Sequence, residues 1–320
     1  PYYALTAELT EDYDERSSLT AFRMVLGVPA YIVGAALTPF LVGLFADKRT
    51  GYGVIGVVYG LLAAIVLWIS AAGIRERQQI AASKAETPPL RTFLETFRNR
   101  PFVRLIVAFL LANVAFALIK TLLYYFLTYQ LDMEKQVSVV MFILLLLVVL
   151  FLFPWKKLSE RLDKGPAYAL GLLIGGVAMA LTFFLPHRPT FWVYVIAVLA
   201  GIGFSAQWVF PWAMVPDVVE IDRLDTGERR GGMYYGVWGL ATKLSDALGL
   251  VAAGWVLQLS GYVPNVAQSA DTLLGIRLFF GPVPLLFILL ALPLLIWYPI
   301  TRKSHAALLV KLEGREGVSG

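Results

Sequence analysis

The chain has 320 residues, 58% of them hydrophobic and only 15% charged, with no cysteine and a net charge of +5. Soluble chains are nearer half apolar and a quarter charged, and a folded surface of this size cannot hide that much apolar side chain, so the chain reads as an all-α integral membrane protein. Without cysteine, disulfides, thiol catalysis and cysteine-based metal sites are excluded.

A membrane helix needs about 20 mostly apolar residues. "PYYALTAEL" reads as the end of such a helix, closing near residue 9. Since residue 1 is Pro, the numbering is expected to begin inside a larger protein. Eight full runs follow, at 22–46, 52–74, 103–130, 137–154, 166–186, 191–215, 232–258 and 273–298. Barrel strands would be about half as long and would alternate in polarity; "MFILLLLVVLFLF" at 141–153 does not.

The connections alternate in character. Short ones ("ADKRTGY", "DMEKQ", "PHRPT", "SGYVPNVAQSADT") carry four Lys and Arg: Lys48, Arg49, Lys135 and Arg188. The others, 8–21, 75–102, 155–165, 217–231 and 299–320, carry twenty with the helix-end residues Arg23 and Arg104. The positive-inside rule assigns this second set to the cytoplasm of a multi-pass cell (inner) membrane protein. The net charge is then topological, and no nucleic-acid partner is expected.

The longest connection, 75–102, divides the chain into a remainder of an N-terminal half (1–74) and a six-span half (103–298), followed by a tail (299–320). Within it Leu90, Phe93, Leu94 and Phe97 form one apolar helix face. With arginines around it, this segment is expected along the inner membrane surface, as a clamp or a gating element. Six helices after a long central loop suggest one half of a two-half transporter.

Ionisable groups at mid-membrane are costly unless paired or hydrated. Lys243 lies 11 residues into its span, about 16 Å at 1.5 Å per residue. Asp246 follows three residues later on the same face. They read either as an ion pair locking one helix to another or as the charged wall of a polar cavity. Lys120 is expected in the cavity or at the interface, and Asn113 in the cavity or in a helix–helix hydrogen bond. In "GIGFSAQWVFPWAMVPD", Gly201, Gly203, Pro211 and Pro216 are expected to loosen the helix. Gln207 and Trp208 beside them suit a sugar face or an acyl chain, Trp208 equally serving packing.

The run "PDVVEIDRLDTGERRGG" sets Asp217, Glu220, Asp222, Asp225 and Glu228 against Arg223, Arg229 and Arg230, a solvated face or a set of breakable salt bridges. Exposed pairs are worth only about 0–1 kcal/mol each, so such a network opens easily. His187 and His305 read as loop residues. No G-x-S-x-G, H-E-x-x-H or P-loop is present, so no enzyme is expected.

Three segments, "PYYALTAELTEDYDERSSLTAFR", "PWAMVPDVVEIDRLDTGERRGGMYYGVWGLATKL" and "GYVPNVAQSADTLLGI", together resemble the glycoside–pentoside–hexuronide:cation symporters of the major facilitator superfamily. The resemblance implies a twelve-helix bundle in two halves, of which this chain holds the end of helix IV through helix XII. It implies cation-coupled (Na+ or H+) symport of a sugar-like solute by alternating access, with no cofactor and a monomeric protein. The coupling-ion site lies mostly upstream of residue 1. A vertebrate branch moves lysophospholipids, and "FPWAMVPDVVE" is similar to that branch too; a sensor that moves nothing is a further alternative.

By position, the resemblance assigns Lys243, Trp208, Tyr3 and Arg23 to the solute and cation region, and Asp217, Glu220 and Arg229 to an inner gate. Trp238 stands where melibiose-transporting members carry a sugar-contacting Gln, and Asp246 has no counterpart there. The resulting expectation is a solute site of Lys243, Trp208, Trp238, Gln207, Tyr3, Arg23, Lys120 and Asn113, with Lys243 and Asp246 reporting on the cation.

Overall fold

In the computed structural model the described residues are 30, 34, 37–73, 93–226 and 230–301. They include no strand, and seven of their helices are long and apolar enough to cross a membrane. These match the expected spans from 52–74 onward; most of the expected span 22–46 lies outside the described residues, as does Leu90. Chain contacts define two compact units, 1–87 and 88–320, and each is described by itself.

In the first unit, α1 (Thr38–Val42) precedes α2 (Lys48–Gly73). Asp47 caps α2, its carboxylate accepting from the Thr50 amide at 2.9 Å and the Thr50 hydroxyl at 2.8 Å. Those bonds hold the Asp47 carboxyl below its usual range, the Thr50 hydroxyl first.

The second unit contains α3 (Arg100–Tyr125), α4 (Val137–Leu162), α5 (Lys164–Leu181), α6 (Trp192–Thr226), α7 (Gly231–Leu259), α8 (Ala270–Phe280) and α9 (Pro282–Ile296). A five-residue π-helical turn, Phe126–Gln130, prolongs α3. The expected single span 273–298 is two helices. Pro282 brings no backbone donor, and Gly281 sits where an added Cβ would come within 2.8 Å of the Met179 carbonyl and the Thr182 hydroxyl.

α6 packs against α4 and α5, α5 also against α9, and α3 against α7 and α9. Lipid offers no hydrophobic drive between helices, so small residues that admit close backbone contact do this work. A Cβ on Gly203 of α6 would lie 2.2 Å from the Gly175 nitrogen of α5; one on Gly201 would lie 2.8 Å from the Leu144 carbonyl of α4. This corrects the expectation for Gly201 and Gly203: α6 runs unbroken from Trp192 to Thr226, through Pro211 and Pro216, and its glycines are contact points rather than loosening points.

At the arginine-rich end, Asn99 caps α3, its Oδ1 accepting from the Phe102 amide at 3.1 Å. Its Nδ2 donates to the Val218 carbonyl of α6 (3.4 Å) and the Tyr234 hydroxyl of α7 (3.3 Å). One cap thus ties three helices. Residues 93–98 are helical, but their apolar face is divided. Phe93 packs on the core, whereas Leu94 and Phe97 are exposed.

Candidate functional site

The expected charged residues come together differently from their spacing. Asp246 on α7 pairs with Lys120 on α3, Nζ to Oδ1 at 3.4 Å, rather than with Lys243. Asn113 and Ser245 fix the register of the two helices, and the Lys120 side chain, from two turns further along α3, reaches Asp246, the residue after Ser245. Asn113 Nδ2 donates to the buried Ser245 hydroxyl at 2.8 Å, which itself donates to the Ala241 carbonyl. Gly249 continues the seam, its position leaving room for Ala117. Asn113 therefore takes the helix–helix role, and Ser245 is a partner that "KLSDA" displayed without marking.

The pair is accessible. The Lys120 and Asp246 side chains are 43% and 40% exposed in this unit. Lys243 is exposed on the same helix; no hydrogen bond or ion pair joins it to another described residue. Lys120 on α3 and Lys243 and Asp246 on α7 are thus all exposed or part-exposed in this unit.

α6 and α7 share an aromatic wall. Trp208 and Trp212, one turn apart on α6, are each partly exposed. Trp212 lies 6.4 Å, ring to ring, from Trp238 of α7. Trp238 is only 1% exposed, its ring 4.1 Å from Phe109 and tilted to it by 35°, and its indole Nε1 has no hydrogen-bond partner among the described residues. Trp238 is thus the backing of the wall in this unit, and Trp212 its face; the Trp-x-x-x-Trp spacing was the available signal for Trp212. Gln207 is buried toward α5, accepting from the buried Tyr168 hydroxyl, so it joins helices rather than facing the wall. Tyr3 and Arg23 lie outside the described residues.

The arginine-rich end holds a second polar group. Lys164, first residue of α5, reaches Asp217 of α6 at 2.6 Å and donates to the Ala213 carbonyl at 2.9 Å. Arg230, at the start of α7, pairs with Glu95 at 2.7 Å. Glu220 is half-buried on α6, and Arg229 lies outside the described residues. Lys164 and Glu95 were not legible as partners of Asp217 and Arg230, which are 53 and 135 positions away; only folding brings them together.

At the opposite end Gln130, from the π turn, is buried. Its Oε1 accepts from Arg277 Nη2 (2.7 Å) and Nε (3.0 Å) and from His187 Nδ1 (2.8 Å), an amide orientation fixed by the surrounding donors. Arg277 also donates to the Leu185 carbonyl. That is how this cation is carried within a span, on neutral oxygens.

Among the described residues, seven helices long and apolar enough to cross a membrane, with Lys120, Lys243 and Asp246 on two of them, mark a multi-pass membrane protein. The profile of the MFS/sugar transport protein family matches residues 1–302, and the chain belongs to that family. It is 27% identical to an uncharacterized symporter of Synechocystis, covering 99% of this chain and 74% of that protein. It is 28% identical to the uncharacterized symporter YjmB of Bacillus subtilis, covering 98% and 68%. It is 28% identical to the sodium-dependent lysophosphatidylcholine symporter 1 of Gallus gallus, covering 95% and 65%. The expectation of a major facilitator-type symporter is thereby met.

Proposed function

We propose that the protein couples a cation, Na+ or H+, to symport of a sugar- or glycoside-like solute, by alternating access, as a monomer in the cell (inner) membrane and without a cofactor. The carrying observation is the Lys120–Asp246 pair, about two-fifths exposed on helices long and apolar enough to cross a membrane. Charges so placed are tolerable where water reaches them. The solute would rest its apolar face on Trp208 and Trp212 and present hydroxyls to Lys120, Lys243 and Asp246; Trp238 backs that surface. Tyr3 and Arg23 are proposed to complete the site, with most of the cation's ligands upstream of residue 1. The arginine-rich end is taken as cytoplasmic, so Lys164–Asp217, Arg230–Glu95, Glu220 and Arg229 form the inner gate, and the end holding Gln130 and Arg277 faces outward.

A second reading is a lysolipid or other amphiphile. It draws on the likeness to the lysophosphatidylcholine symporter of Gallus gallus and on an open, wholly apolar groove of about 270 Å³ lined by residues including Ile174, Val177 and Leu199. The groove takes in none of the charged residues, which favours the first reading.

Counterflow in proteoliposomes of the full-length protein separates these readings, using labelled melibiose, methyl β-D-glucuronide and lysophosphatidylcholine with and without sodium. A glycoside is expected to exchange, and Trp208→Ala to slow that exchange by about tenfold, the loss of one stacked face at roughly 1.4 kcal/mol. Exchange of the lysolipid alone establishes the second reading, and exchange of none of the three leaves a non-transporting sensor.

A further inference from the structure

The transport reading uses residues at mid-depth and at the arginine-rich end. At the other end four tyrosines form a group of their own. Tyr124 and Tyr125 close α3 and Tyr129 lies in the π turn beyond it. Tyr262 comes from the chain just past α7, and its position is dictated by how that helix stops. The Gly261 amide donates to the Gln258 carbonyl at 3.1 Å and the Tyr262 amide to the Leu257 carbonyl at 2.9 Å. This paired closure requires a left-handed residue between them, and Gly261 supplies it with φ +77°. The turn directs Tyr262 back onto α3.

The rings then meet face and edge. Tyr262 is 5.2 Å from Tyr125 at 86° and 5.4 Å from Tyr129 at 78°. Tyr125 and Tyr129 are 6.5 Å apart and nearly parallel, at 21°. The Tyr129 and Tyr262 hydroxyls lie 2.9 Å apart, and the Asn265 amide donates to the Tyr129 oxygen at 3.3 Å. Tyr124 stands edge-on to Tyr125 at 6.0 Å and donates to Glu134 Oε1 at 3.0 Å. Burial, and then the Tyr129 hydroxyl, raise the Tyr262 phenol above its ordinary range, so it stays neutral. One turn below Tyr124 on α3 is Lys120, with Asp246 attached.

Interfacial tyrosines ordinarily stand singly, ring toward lipid and hydroxyl toward water. These four instead pack mostly edge to face, tied by their own hydroxyls, with Tyr124 exposed and the other three half-buried, one carboxylate at the rim and another beneath. A ring surface bordered by charged acceptors is complementary to a pyranose, whose C–H face stacks and whose hydroxyls donate. An organic cation would need unbalanced negative charge here, but Asp246 is already paired with Lys120.

We propose that Tyr125, Tyr129 and Tyr262, with Tyr124 and Glu134 at the rim, form an outer carbohydrate subsite that receives the glycoside before it reaches Lys120, Asp246 and the tryptophan wall. The proposal rests on the glycoside reading above.

The test uses the full-length protein in right-side-out and inside-out vesicles, with labelled melibiose or methyl β-D-glucuronide. The Tyr125→Leu/Tyr262→Leu double variant raises the KM measured from the tyrosine side by about tenfold. It leaves the maximal rate within about twofold and the KM from the opposite side unchanged. Tyr262→Phe, which keeps the ring, stays near wild type. Should the double variant fold poorly, Tyr125→Leu alone gives the same asymmetry at smaller size. An unchanged KM, an equal rise from both sides, or a fall in maximal rate alone overturns the subsite and leaves the transport reading standing. Competition by choline from the tyrosine side with no effect of the variants on the glycoside KM also overturns it. No exchange of either glycoside by the wild-type protein overturns both.

Discussion

Gly203→Ala is expected to cost the folded protein about 2–3 kcal/mol, although it adds one methyl group to a helix and would raise intrinsic helix propensity. The added carbon would sit 2.2 Å from the Gly175 nitrogen and 2.6 Å from its Cα. Both are backbone atoms, so no side chain can swing aside, and α5 and α6 must separate. Neighbouring contacts would then be lost along the seam, where Gly171 meets Ala206 and Gly175 meets the Phe204 ring. Thermal unfolding of the detergent-solubilised full-length protein measures the loss. The control is Gly254→Ala on α7, where an added Cβ meets nothing within 4 Å and stability should hold or rise slightly. Equal behaviour of the two variants would contradict the close α5–α6 contact.

Asp246→Asn is expected to reduce transport by at least about tenfold while barely altering stability. The two halves of that prediction have different origins. Asp246 holds Lys120 at 3.4 Å, and removing its charge leaves Lys120 without that ion pair. A solute or cation that depends on that balance of charge loses at least one favourable contact, and 1.4 kcal/mol is a factor of ten. Stability responds to hydration. An exposed pair contributes about 0–1 kcal/mol, whereas breaking a dry, buried pair costs about 3–5 kcal/mol. On the proposed reading water surrounds both side chains, which are about two-fifths exposed, and the small figure applies. The charge-exchanged variant Lys120→Asp/Asp246→Lys should regain part of the transport that each single substitution loses. Loss of several kcal/mol in Asp246→Asn would mark the pair as a structural lock.

Much of the architecture was visible before folding was considered. Seven described spans lie where runs of apolar residues place them, because a bilayer demands length and hydropathy of every helix. What hydropathy does not contain is the azimuth of each residue. The i to i+3 spacing put Lys243 and Asp246 on one face, yet Asp246 turns to Lys120, since helix register is set by Asn113–Ser245 and by Gly249 against Ala117. Gly201 and Gly203 looked like flexibility in a linear reading; only the neighbours' backbones reveal them as contacts. Trp238 and Trp208 were equivalent as letters, while packing buries the first under Phe109 and Trp212 and leaves the second partly open. The Lys164–Asp217 and Arg230–Glu95 pairs, and the tyrosine cluster, depend on residues far apart in the chain, and no local pattern joins them.

The account turns on water reaching Asp246 at mid-depth, and cysteine accessibility tests that directly. The 320 residues contain no cysteine, so in a full-length protein stripped of any other, Asp246→Cys gives a single reactive thiol. A membrane-impermeant maleimide should label it in sealed vesicles, and the transported glycoside should slow the labelling. Leu290→Cys, on the exposed apolar side of α9, should stay unlabelled. If the Asp246→Cys protein, folded and correctly inserted, is as inert as the Leu290→Cys control, then the charged pair faces lipid or a dry seam, and the proposed site is wrong.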